Sequence, residues 1–274
     1  MSEKNPHRDS AIESLLRDDD ARAFYLNELR SARNAALADA EGFMAVIHTL
    51  ELMGQKLTGT VLNFRDYQTK LNCVAGLSLL SRKIVSEWPE YHTKFGILYE
   101  ELRHARNDAV HQGASARILT DHAVDITIIL EDALMSKSSE VSQFMVRDVV
   151  EAKPWHPVSY VRQQILKHGF SYLPIWFKNE EKWKLISDYS VARYLPRCLQ
   201  TNERKTRLVT TIEDAIKEDN GNDRLRVLSA KAVYPEKKIN DNDILKCVGA
   251  KPVLVVNYGR EDVLAGILTS SDIL

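Results

Sequence analysis

The sequence predicts an α plus α/β protein, an N-terminal antiparallel helical bundle followed by a duplicated α/β module. Three observations predict it. Apolar residues recur at helical spacing through about residue 135 and then change to short β-rich runs. The charge balance changes at the same place: residues 1–140 hold 16 Lys/Arg and 21 Asp/Glu, whereas residues 141–274 hold 21 and 17. An order of strand, helix, strand, strand, helix occurs twice in the second half, at about 145–197 and about 222–274.

Taken in order, residues 20 to about 56 contain no proline. Ala40, Phe43, Ile47, Leu50 and Met53 recur there at helical spacing, with Gly54 and Gly59 as punctuation. A second stripe, Cys73, Leu77, Leu80, Ile84 and Trp88, ends at Pro89. A third, Phe95, Leu98, Leu102, Ala105 and Ala109, has Gly113 as its expected stop. A fourth helix is expected over 121–135, followed by a linker at 136–139. Four or five helices with such short connections form an antiparallel bundle. In the second half, strands are expected at 171–177, 184–187, 225–233, 252–257 and 263–269, with helices at 159–168 and 241–248. A charged connector around 201–207 separates the copies.

Composition narrows the function classes. Hydrophobic residues at 44% and charged residues at 27% describe a soluble globular chain. A net charge of −1 lacks the basic footprint of a duplex-DNA binder. The three cysteines, Cys73, Cys198 and Cys247, form no CxxC or Cys/His spacing, so no metal site is expected and a reducing cytoplasm is. The first ten residues are polar, unlike a signal peptide, and no run approaches about 18 apolar residues. The expectation is a soluble cytoplasmic protein.

The duplicated half carries a motif. In the second copy, Gly266-Ile267-Leu268-Thr269-Ser270-Ser271-Asp272 follows Lys251-Pro252-Val253-Leu254-Val255-Val256. In the first, Phe144-Met145-Val146 precedes Leu173-Pro174-Ile175. These residues resemble a tandem CBS-domain pair, over about 130 residues of the chain. A strand ending in Thr at a helix start offers a hydroxyl and free amides to an anion. A carboxylate three residues on can accept from a ribose diol. The resemblance implies an adenine nucleotide or adenosyl compound as regulatory ligand, with Thr269 and Ser271 facing phosphate and Asp272 the ribose. Capping of the last short helix explains the same residues without a ligand. The first copy has Ser187 where Thr269 stands and Ser190 in place of Asp272. A serine cannot replace a carboxylate at a diol, so one functional site per chain is expected.

The helical half carries Arg106-Asn107 and, after three residues, His111. Glu100, His104, Asn107 and His111 share one face of the third predicted helix. Arg–Asn–x–x–x–His resembles the signature of the HEPN superfamily, all-helical domains that include metal-independent endoribonucleases, over residues 1 to about 138. The resemblance implies RNA transesterification: His111 as general acid or base, Arg106 on the phosphate oxygens, and Asn107 orienting one of them. On an ideal helix Arg106 and His111 stand about 140° apart, so a second chain completing the site, and hence a homodimer or higher assembly, is expected. The alternatives are a surface ion pair of Arg106 with Asp108 or Glu101 and a dipole contact for His111. The acidic balance of this half favours a restricted RNA, such as one tRNA loop, over general RNA binding.

The expected domains are a HEPN-like helical domain at 1–138 and CBS repeats at 141–197 and 207–274. The first functional expectation is a ribonuclease regulated by an adenine nucleotide, with a stress-response or anti-phage role implied. The second is a non-catalytic dimeric regulator whose helical half binds a partner.

Overall fold

Asp9 accepts the amide of Ala11 at 3.1 Å and opens α1 (Ser10–Arg17). Asp18 accepts that of Ala21 at 3.0 Å and opens α2 (Asp19–Ala38). The computed structural model describes residues 9–39, 42–108, 113–197, 199–217 and 224–274, and of 107–108 and 113–117 the backbone alone. The chain divides into two units, residues 1–138 and 139–274.

In the first unit the proline-free run is two helices. The chain turns extended at Asp39, and α3 (Phe43–Thr58) starts after Gly42. A Cβ on Gly42 would lie 2.1 Å from the Ala35 carbonyl oxygen, so this close approach to the end of α2 requires glycine. Next, α4 (Phe64–Ala75) buries Phe64, Tyr67, Leu71 and Val74. The predicted second stripe fails here, because Cys73 is exposed and Trp88 is 53% exposed. The helix ends at Ala75, and Leu80–Ile84 winds as a π turn into the short α5 (Val85–Glu87). That break resets the phase on which the stripe depended.

Periodicity succeeds for α6 (Phe95–Asp108), where Phe95, Leu98, Leu102 and Ala105 are buried, while Ala109 lies outside the described residues. Gly113 does not stop this helix. It begins α7 (Gly113–Met135), which is longer than the expected 121–135. Glu131 ties α7 to α2, taking Arg33 bidentately at 2.9 and 3.0 Å with Arg30 at 3.8 Å.

The second unit runs α8 (Val158–His168), β1 (Tyr172–Phe177), β2 (Lys182–Ser187), α9 (Asp188–Tyr194), α10 (Thr201–Val209) and α11 (Ile212–Lys217). It continues with β3 (Leu228–Ser229), β4 (Lys231–Val233), α12 (Asn242–Val248), β5 (Val253–Asn257), β6 (Arg260–Leu268) and a 3-10 turn at Ser270–Asp272. Two three-stranded sheets form, β1-β2-β3 and β4-β5-β6.

Their pairing repeats. The segment leading into the first copy bridges β6 of the second (Val146 to Ile267) and then runs parallel to its own β1 (Ala152 to Ile175). The segment leading into the second copy pairs with β2 of the first (Leu185 to Leu228) and then parallel to its own β5 (Lys231 to Val253). Each copy thus lends a strand edge to the other. Leu185 and Trp183 of β2 pack with Leu254 and Val256 of β5 in a shared core.

Three features of the second unit were not legible in the sequence. The charged connector around 201–207 is helical, as α10. Ile212, Ala215 and Leu225, within the expected bounds of the second copy, pack with Val158, Val161 and Leu173 of the first. The two prolines are not equivalent: Pro174 pairs with Leu185 inside β1, whereas Leu254 holds the matching place opposite Ile267.

Candidate functional site

In the second copy, β6 ends at Leu268 and the chain turns at Ser270–Asp272. Thr269 Oγ1 donates to Asp272 Oδ2 at 2.7 Å, and the Thr269 amide donates to the same oxygen at 2.7 Å. Ser271 Oγ lies 2.8 Å from Thr269 Oγ1. Thr269, Ser271 and Asp272 are therefore brought together, with Asp272 buried at the centre. The contacts form a capping box, so ligand oxygens reaching Asp272 compete with its cap on Thr269.

Gly266 has a packing role. A Cβ there would lie 2.6 Å from Met145 Sδ and 2.9 Å from the Val146 carbonyl oxygen. The glycine of the motif lets the exchanged segment at Val146 approach β6.

The first copy holds the matching turn differently. Ser187 Oγ accepts the Ser190 amide at 3.0 Å, capping α9. Ser190 Oγ donates to the Arg226 carbonyl and accepts the Arg226 amide at 3.1 Å. Its hydroxyl is buried and satisfied in both directions, as a structural tie and not as an open acceptor.

In the helical unit, Arg106 sits in the last turn of α6. Its guanidinium pairs with Glu51 of α3 at 2.8 Å and lies over the Phe64 ring, 5.5 Å from the centroid. Of the expected partners, Glu101 is not the observed one, and the side chain of Asp108 lies outside the description. Glu51 and Phe64 lie 55 and 42 positions from Arg106 in the sequence, so no local spacing could have pointed to them. Glu101 instead reaches His122, at 2.8 Å. Behind this cluster, Tyr99 stacks on Phe64 at 4.6 Å and donates to its carbonyl at 2.6 Å; burial pushes its phenol far above the ordinary range. His104 is exposed beside the Arg103–Glu100 pair. Asn107 is the penultimate residue of α6, its side chain outside the description, and His111 lies outside the described residues.

No protein-family model matches this sequence, and comparison with curated proteins finds no match. Solved structures similar to about half of the chain are CBS-domain proteins. One, from Agrobacterium tumefaciens, is 13% identical with a TM-score of 0.35, and the match covers 49% of this chain and 90% of that one. CBSX2, a CBS-pair protein of Arabidopsis thaliana, was solved in complex with AMP; it is 18% identical with a TM-score of 0.35, covering 50% of this chain and 93% of that one. CbpB in complex with c-di-AMP is 18% identical with a TM-score of 0.36, covering 49% and 81%. Among the described residues, no helix is long and apolar enough to cross a membrane.

Proposed function

We propose that this chain is a regulator whose second unit binds one adenine nucleotide at the turn after β6. The observation that carries this reading is the contrast between the copies. Asp272 offers a carboxylate, capped by the hydroxyl and amide of Thr269, whereas Ser190 offers a single hydroxyl bound in both directions to the Arg226 backbone. The nucleotides in the CBSX2 and CbpB complexes, AMP and c-di-AMP, are the same chemical class. Thr269 and Ser271 would take phosphate and Asp272 the ribose diol.

A hydrogen bond to a charged acceptor contributes about 1.5–3 kcal/mol, so Asp272→Ala should weaken binding about ten- to a hundred-fold. Ser190→Ala should change affinity little. Calorimetry with AMP, ADP, ATP, S-adenosylmethionine and c-di-AMP tests this. Equal losses from the two substitutions, or no binding by the unsubstituted chain, would refute the site.

A second reading makes the helical unit a metal-independent endoribonuclease controlled by that nucleotide. It is favoured by Arg106, which remains 39% exposed at the end of α6 with an aromatic ring beneath it. To clamp an RNA phosphate, Arg106 must share or leave Glu51. The reading requires RNA cleavage that survives EDTA and disappears in both Arg106→Ala and His111→Ala. Cleavage undiminished in both variants excludes this site. An intact nucleotide site without cleavage leaves the non-catalytic regulator, with the helical unit binding a partner.

A further inference from the structure

In the helical unit, the π turn Leu80–Ile84 and the start of α6 border a shallow, open cleft of about 440 Å³. Two cations line it, Arg82 from the π turn and Lys94 from the residue before α6, together with Asn72, Ser81 and Ser86. Both cations are exposed, and neither has an acidic partner among the described residues. In this half of the chain, which has more acids than bases, Arg17, Arg22, Arg33, Arg103 and Arg106 are paired, whereas Arg82 and Lys94, like Lys56, Arg65 and Lys83, have no acidic partner among the described residues. Two unpaired cations with neutral donors beside them suit a phosphodiester.

The loop between α5 and α6 leaves the cleft at Ser86 and returns to it at Lys94. On it stand Trp88, 53% exposed, and Tyr91, 76% exposed, with ring centroids 6.4 Å apart and planes inclined at 44°. Large aromatics held in water beside unpaired cations form the usual platform for single-stranded nucleic acid, bases on the rings and backbone on the cations. Glu87 and Glu90 on the same loop do not line the cleft.

We infer that this face of the helical unit binds single-stranded RNA, its phosphates on Arg82 and Lys94 and its bases on Trp88 and Tyr91. The choice of RNA over DNA rests on the RNA-cleaving reading; the site itself does not. Arg106 lies ten residues along α6 from Gly96, which lines the cleft, a rise of about 15 Å. That distance is the span of a few nucleotides.

The test is fluorescence anisotropy on the full chain with a labelled 2′-O-methyl oligouridylate of about 12 nucleotides, beside an oligothymidylate and a duplex of equal length. The 2′-O-methyl strand has no free 2′-hydroxyl, so binding is read without cleavage. Arg82→Glu with Lys94→Glu should weaken binding at least about tenfold and reduce the salt slope of log affinity by about 1.4. Trp88→Ala should weaken it about fivefold or more. Lys56→Glu, a surface change outside the cleft, should leave it unaltered. All altered residues are exposed, and matching thermal melts establish that the variants fold. Binding intact in the Arg106→Ala chain supports the site whatever that variant does to cleavage. Absence of binding, equal loss in Lys56→Glu, preference for the duplex, or binding of the DNA strand alone would overturn it.

Discussion

Ser190 and Asp272 hold the same place in two copies of one turn, and their chemistry separates the copies. The serine closes a two-way bond with the Arg226 backbone, while the carboxylate accepts the hydroxyl and the amide of Thr269. At the same scale, His156 is a titratable structural group. Burial foremost, then the Lys153 ammonium, holds its imidazole below the ordinary histidine range. Its Nδ1 accepts the Lys153 amide at 3.1 Å, which requires that nitrogen unprotonated. As pH falls the unfolded chain takes up this proton first. The second unit therefore keeps the full contribution above about pH 6.5 and loses it progressively as pH drops from there toward the depressed folded value. Melting temperatures from about pH 8 to about pH 5 should fall more steeply for the native chain than for His156→Asn; equal slopes would remove His156 from this role.

The helices meet where the sequence places its smallest residues. Gly54 of α3 faces Tyr67 of α4, and a Cβ there would lie 2.4 Å from the ring's Cγ. That ring is fully buried, so it cannot swing aside. Overpacking costs about 1–3 kcal/mol, against about 1 kcal/mol that alanine recovers in helix propensity. Gly54→Ala should therefore lower stability in urea unfolding by up to about 2 kcal/mol, and a stabilised variant would show that α3 and α4 separate at no cost. Little of this was legible. A glycine reads as punctuation in the chain, whereas here it sits inside a helix because another helix lies against it. The stripe through Cys73 and Trp88 misled for a related reason: two segments of separate phase, joined by a π turn, imitate one periodic run.

At the scale of the molecule, the two units have separate cores and carry separate candidate sites. Arg106 is held by Glu51, and an ideal helix separates it from His111 by about 140°. A composite site therefore calls for a second chain. Light scattering at micromolar concentration should give about twice the 31.2 kDa chain mass. A strict monomer that cleaves RNA would contradict the composite site. The nucleotide can control the helical unit only through a difference in its affinity for two states of the chain. In a nucleotide-controlled enzyme, Asp272→Ala should therefore abolish the nucleotide's effect on cleavage while leaving its basal rate; unchanged regulation would separate the two activities.

The sequence by itself determined the division into a helical and an α/β half, the duplication, most strand positions, and the triplet Thr269, Ser271 and Asp272. These rest on local periodicity and on motifs spanning a few residues, which backbone geometry converts directly into helices, strands and turns. Tertiary structure alone decided what each side chain meets. It joined Arg106 to Glu51 and Phe64, closed Ser190 onto Arg226, drew Ile212 and Leu225 into the first copy, and brought Arg82 and Lys94 to one cleft. Partners so far apart in the chain are selected by packing and by the cost of burying a polar group unsatisfied, and neither leaves a mark in local spacing.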